Sequence, residues 1–206
     1  MTIVTRWWWL RHAPVPKGDD PNRIVGQLDS GCDLSDIARV NALRDRLPAD
    51  PVWIASHLPR ARITAAALGG ANPLIEPDLA EQHLGDWQGS TWDEVHKTLR
   101  EASDAFWKDP GRGRPPGGES FADVIARVEG AAQRLTQAHA GRDIVAVVHG
   151  GTIRAAVACA LGLDPNRALA LAVDNLSLTR IDHVISGGPY DLGGAWRVKG
   201  VNQVFD

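Results

Sequence analysis

Short apolar runs recur along the chain, and several stop abruptly at a cluster of polar residues. The first, Thr5 to Leu10, holds Trp7, Trp8 and Trp9 and reads as a strand. Pro14 cannot continue a ladder, so this strand ends near Arg11-His12. Val52 to Ala55 reads as a second strand, and Leu74 to Glu76, bounded by Pro73 and Pro77, as a short third. Ile144 to Val148 is continuously apolar, as expected of a strand buried on both faces. Leu176 to Ile181 and Ala195 to Val201 read as late strands.

Between the strands the apolar period changes to a helical one. Ile37, Val40, Leu43 and Leu47 predict a helix capped by Ser35. Pro59 fits the first turn of a helix running to Ala67–Gly69. Thr91 and Glu94 form a capping box for a helix to about Leu99. Ser120 caps a long helix with Phe121, Val124, Ile125, Val128, Ala132 and Leu135 on one face. Thr152 to Leu161 forms a helix ended by Gly162. Residues 13–33 show no period, 79–89 are turn-rich, and 109–118 form a Pro/Gly/Arg segment expected to be a mobile loop or lid. Alternating strands and helices predict an α/β sandwich around a largely parallel sheet. With no repeat or linker, 1–206 is read as a single domain.

Composition narrows the function. The net charge of −3 implies no general attraction to nucleic acid or anionic membrane, though it leaves room for a local basic pocket. Cys32 and Cys159 have neither disulfide-framework nor metal-site spacing and read as reduced, packed thiols. No apolar stretch approaches a signal h-region or a membrane span, so a cytoplasmic protein is expected. The eight tryptophans have no functional account from sequence alone.

Four signals carry chemistry. Arg11-His12 lies at a strand tip, where α/β folds place their sites. A guanidinium grips phosphate oxygens in pairs, and a neighbouring cation disfavours protonated imidazole. Arg60 opens a helix whose N-terminus also favours an anion. His149-Gly150-Gly151 sits at a strand–helix junction where glycines let backbone approach a ligand. Glu81 precedes a Gly-x-Trp-x-Gly pattern; a carboxyl beside a bound phosphate dianion can hold a proton for a leaving group. Singly, each has a plainer reading: a strand-end histidine, a surface arginine, a tight turn, a solvated acid.

Together they match a known pattern. The chain resembles the histidine phosphatase superfamily, also called phosphoglycerate mutase-like. The resemblance rests on Leu10-Arg11-His12-Ala13, Ser56 through Ala65, Glu81 through Gly89, Pro116 through Phe121 and Val148 through Arg154. It implies a three-layer α/β/α sandwich around a largely parallel mixed sheet. It implies that His12 is the nucleophile that becomes a phosphohistidine. Arg11, Arg60, His149 and Gly150 would bind the phosphoryl group with it, and Glu81 would donate the proton. Arg60, not Arg62, matches the Arg-Ala-x-x-Thr pattern. The implied reaction is metal-independent, without a cofactor, on a small-molecule phosphomonoester, by a monomer or homodimer with no nucleic-acid or membrane partner.

The chain departs from the family at Ala13, where a glycine is usual, and at Val15 and Gly18, where phosphate-binding polar residues are usual. Asn22, Arg23 and Gln27 are the available substitutes. The chain is similar to α-ribazole phosphatases and equally to broad-specificity sugar-phosphate phosphatases. The alternatives are a phosphoglycerate-type mutase, a non-catalytic phosphoester- or phosphoprotein-binding module and, more remotely, a metal-dependent hydrolase. Trp87, Trp92, Phe106 and Trp107 are candidate walls of the site mouth or core residues.

Overall fold

In strand β1 (Ile3–Arg11) side chains alternate between two faces, and the tryptophans sort accordingly. Trp7 and Trp9 are buried on one face and stack with centroids 4.5 Å apart. Trp8 and Leu10 belong to the cluster on the other face. An aromatic side chain buries roughly 150–250 Å², worth at most about 4–6 kcal/mol against a fully exposed chain. The two stacked rings thus make β1 a main anchor of the core.

The computed structural model describes residues 1–16, 22–187 and 194–205. Strands β2 (Val52–Ala55), β3 (Leu74–Ile75), β4 (Asp143–Val148), β5 (Leu178–Ile185) and β6 (Ala195–Gln203) join β1 in one six-stranded sheet of order β3-β2-β4-β1-β5-β6. The strands from β3 to β1 run parallel, whereas β5 and β6 are antiparallel. This is the largely parallel mixed sheet that was expected. Helices α5 (Phe121–Ala138) and α6 (Gly150–Leu161) cover the Trp7/Trp9 face. Helices α1 (Ile37–Arg44) and α2 (Pro59–Leu68) cover the other. Ile144 to Val148 are all fully buried between the layers, which accounts for their unbroken apolarity.

Several local expectations change. The α1 cap is Asp36, whose side chain accepts from Arg39 N; Ser35 lies one residue too early. Ile37 is 65% exposed, so the α1 stripe consists of Val40 and Leu43. The capping box at Thr91 does start α3 (Trp92–Thr98), but the chain breaks at Leu99 and restarts as α4 (Arg100–Lys108). This helix was not anticipated: it buries only Ser103 and Phe106, an i, i+3 pair too sparse to register among its charges. Strand β5 begins at Leu178 because Leu176 has φ 56°, incompatible with a ladder. After α6 comes the short helix α7 (Pro165–Ala168).

The stretch 109–118, read as a mobile loop or lid, is fastened at several points. Gly111 N donates to Asn166 Oδ1 at 2.8 Å, Arg112 pairs with Asp164 at 2.7 Å, and Arg114 with Asp123 at 2.7 Å. Pro116 O accepts from Asp86 N at 2.9 Å. Both cysteines are free thiols, and burial pushes Cys159 up to about 12, so it is no nucleophile. No helix among the described residues is long and apolar enough to cross a membrane.

Candidate active site

Sheet register brings the two predicted histidines together. Arg11 on β1 lies opposite Val148 on β4, so His12 and His149 emerge side by side at adjacent parallel-strand tips. Their ring centroids are 5.1 Å apart, and His12 N donates to Val148 O at 3.0 Å. Strand β2 stops at the same level, with Ala55 opposite Val147, and delivers Ser56. Ser56 Oγ lies 2.6 Å from His149 Nε2 and accepts from Leu58 N at 3.4 Å. Three carboxyl-terminal strand ends thus converge, as in open α/β sheets generally.

His12 is 4% exposed, with its Nδ1 2.7 Å from Ala13 O. A carbonyl can only accept, so Nδ1 carries the proton and the Nε2 lone pair is free. Ala13, at the family's glycine position, is fully buried and does not adopt a positive φ, so its methyl needs no strained backbone. Ala13 N donates to Thr64 Oγ1, which donates in turn to Arg60 O, so α2 braces the His12 segment.

Arg60 is 2% exposed, while Arg62 is exposed. Arg60 donates to the carbonyls of Gly26 at 2.6 Å and Leu28 at 3.0 Å, leaving donors for the cleft that it lines. Arg11 spends Nη1 on Val173 O at 2.6 Å, and its Nε is buried without a protein partner. His149 Nδ1 is likewise buried and unpartnered. Burial is the main cause that lowers both guanidiniums from their usual value; arginine nonetheless stays charged.

Glu81 is placed by a network that sequence inspection did not find. Arg127 donates to the carbonyls of Asp78, Ala80 and Glu81 and pairs with Glu119 at 2.8 Å. Gln27 Nε2 donates to Glu81 O at 2.7 Å. The Glu81 carboxylate then accepts from Gly151 N at 3.1 Å, at the N-terminus of α6. A methyl on Gly151 would collide with Glu81 Oε1, which explains the glycine there. Gly150 lies one residue earlier, buried against Arg11.

These groups line or border a cleft of about 430 Å³, whose walls add Leu84, Trp92, Leu169, Asn175 and Arg154. Of the four candidate aromatics, Trp92 reaches the cleft, where Phe121 also lies; Trp87 and Phe106 are buried against Trp92, and Trp107 is 55% exposed. Asn22, Arg23 and Gln27 do not line the cleft: Arg23 bridges to Thr91, and Gln27 holds the Glu81 backbone. Gly18 lies outside the described residues. Ser56, Arg127 and Arg154 were not singled out from the sequence. Their partners are distant in the chain, and only the fold brings them together.

Burial, with Arg60 and Arg11 adding to it, lowers His12 from 6.5 to about 3, and burial lowers His149 well below its ordinary value. An unfolded chain protonates both imidazoles below about pH 6.5, whereas the folded chain resists. The His12 contribution to stability is therefore complete above about pH 6.5 and falls toward about pH 3, by up to about 1.4 kcal/mol per pH unit, and His149 acts in the same direction. Denaturant midpoints between about pH 6.5 and about pH 4.5 should fall less steeply for His12→Gln than for the wild type. Equal slopes would show that His12 is not held neutral.

The model of the histidine phosphatase superfamily (branch 1) matches residues 7–190. The chain belongs to the histidine phosphatase superfamily. It is 40% identical over 176 residues to a glucosyl-3-phosphoglycerate phosphatase of Mycolicibacterium vanbaalenii, covering 78% of this chain and 76% of that one. It is 34% identical over 141 residues to a metal-independent phosphoserine phosphatase of Arabidopsis thaliana, covering 65% and 59%. The structure of a mycobacterial glucosyl-3-phosphoglycerate phosphatase in complex with VO3 superposes with a TM-score of 0.78 at 30% identity, covering 96% and 98%. Both of these sequence relatives are phosphatases, and the Arabidopsis one is described as metal-independent.

Proposed function

We propose that this histidine phosphatase hydrolyses a small-molecule phosphomonoester through a phosphohistidine on Nε2 of His12. The observation that carries the reading is a His12 imidazole in ring contact with His149 and bonded to Ala13 O through Nδ1, with Arg11 Nε and His149 Nδ1 both buried without a protein partner. A buried unpaired donor costs about 1–3 kcal/mol, and a phosphoryl oxygen relieves it.

Neutral His12 attacks phosphorus in line, and the P–N bond forms as the P–O bond to the alcohol breaks. Arg11, Arg60 and His149 stabilise the equatorial oxygens with preorganised donors, aided by the N-terminus of α6 at Gly150. Ser56 contributes by giving its hydroxyl proton to His149 Nε2. That hydrogen bond keeps the imidazole proton on Nδ1, the buried ring nitrogen without a protein partner, as a donor for the phosphoryl group. Glu81 gives its proton to the departing alkoxide, then takes one from the water that attacks phosphohistidine. Inorganic phosphate leaves, and His12 is restored.

The relatives' names describe a phosphoglycerate ester and phosphoserine, which supports a low-molecular-weight substrate. An α-ribazole phosphate or a sugar phosphate would engage the same phosphoryl-binding groups. The test is phosphate release from a panel of phosphomonoesters that includes an aryl phosphate, with a chelator present. Release undiminished by the chelator is expected. Binding without turnover would make the protein a phosphoester-binding module, and loss with chelator would make it metal-dependent. Transfer of the phosphoryl group to a second substrate oxygen, rather than to water, would make it a mutase.

A further inference from the structure

The cleft holds one more cation than phosphoryl binding requires. Arg154, on the first turns of α6, lines it together with Arg11, His12, Arg60 and Glu81. Its Nε donates to Leu171 O at 2.7 Å, in the same loop whose Val173 O holds Arg11 Nη1. A methyl on Gly150 would lie 3.5 Å from Arg11 Nε and 3.6 Å from Arg154 Nη1, so the two guanidiniums flank that one glycine. Each donates to one backbone carbonyl, and a methyl at 150 would sit in van der Waals contact with both.

Among the described residues, no ion pair includes Arg11, Arg60 or Arg154. Among the described residues, Glu81 is the acid that lines the cleft with them. Asp174 and Asp29 act on Arg11 and Arg60 from outside it. When Glu81 carries the proton it will donate, three guanidiniums face a phosphoryl dianion. The described lining then carries one positive charge more than the dianion offsets, and a second anionic group in the cleft would pair with it. Among the described residues the rest of the wall, which includes Leu84, Trp92, Phe121 and Leu169 with Gln82 and Asn175, suits an apolar or stacking portion of the substrate and holds no further acid.

We propose that Arg154 binds a second anionic group of the substrate, a carboxylate on the alcohol portion, so that the enzyme prefers phosphate esters of hydroxy acids. This rests on the phosphatase reading above and assigns its specificity. A matched pair tests it: 3-phosphoglycerate, and glycerol 3-phosphate, which replaces the carboxylate with a hydroxymethyl group. The wild type should favour the acid. Arg154→Met should lower the acid-to-neutral ratio of kcat/KM by about 10–100-fold, chiefly through KM for the acid, and Arg154→Lys should restore part of it. Equal losses on both esters would make Arg154 a phosphoryl ligand or a structural prop and overturn the assignment. A second measurement needs no variant: a carboxylate-bearing phosphonate should inhibit wild-type aryl phosphate turnover at least about tenfold better than an alkylphosphonate of equal length. Equal inhibition overturns the proposal while leaving the phosphatase reading intact. Absence of turnover with every ester overturns both.

Discussion

Alanine at position 12 removes turnover of every phosphomonoester that the wild type hydrolyses, with kcat falling by about 10⁴-fold or more, ~5.5 kcal/mol of barrier. No neighbouring group can take over. His149 is in ring contact with His12, but its Nε2 is engaged by Ser56, and its Nδ1 is the proposed donor to the phosphoryl oxygens. The thiol of Cys159 is pushed up to about 12 by burial. The fold should survive, since the sheet register at Arg11–Val148 and the His12 N to Val148 O bond do not involve the imidazole. Steady-state rates on one aryl and one alkyl phosphate check this. Activity within about tenfold of wild type, only about 1.4 kcal/mol, would mean that His12 is not the nucleophile.

Glu81→Gln produces the second largest effect, and it depends on the leaving group. Glutamine keeps the shape, and its carbonyl oxygen still accepts from Gly151 N, so the cleft should be preserved. It cannot donate a proton to an alkoxide. Alkyl phosphates should therefore lose about 10²–10⁴-fold, the usual contribution of general acid catalysis. An aryl leaving group of low pKa departs without help, so its P–O cleavage should be much less impaired. The second step lacks its base with either substrate, so phosphoenzyme should accumulate from the aryl ester. Equal loss on alkyl and aryl substrates, with no accumulation, would mean that Glu81 only positions substrate. Glu119 is a poor substitute, because Arg127 and His83 N already engage its carboxylate.

What could be read in advance was what local pattern encodes. Pro14 after an aromatic run, and a continuous apolar run ending at His149, locate two strand tips without knowledge of the register. The parallel-sheet rule then places both tips at one edge. The helix capped by Ser120 was equally plain, with Val124 and Val128 buried on its predicted face. Elements with little burial were not: α4 turns only two residues inward. Ser56 heads a stretch that carries the family resemblance, but its role comes from His149, 93 residues away. Arg127 reads as a solvated position on α5, yet it holds three carbonyls of the Glu81 segment. Gln27, one of the polar residues available to replace a missing phosphate loop, is used otherwise for a similar reason. Composition offers Gln27 as a phosphate ligand, but the fold turns its amide onto the Glu81 backbone.

The central claim is a covalent phosphoryl group on His12, and rapid quench with a phosphorus-labelled aryl phosphate tests it most directly. The quench is made alkaline, because the P–N bond survives base and breaks in acid. Labelled protein should appear in a burst before steady-state phosphate release, at up to one phosphoryl group per chain in Glu81→Gln. The label should map to the peptide containing His12, reside on Nε2, wash out on acid treatment and be missing from His12→Ala. Turnover without any labelled protein in Glu81→Gln, or label that persists in His12→Ala, would contradict the mechanism.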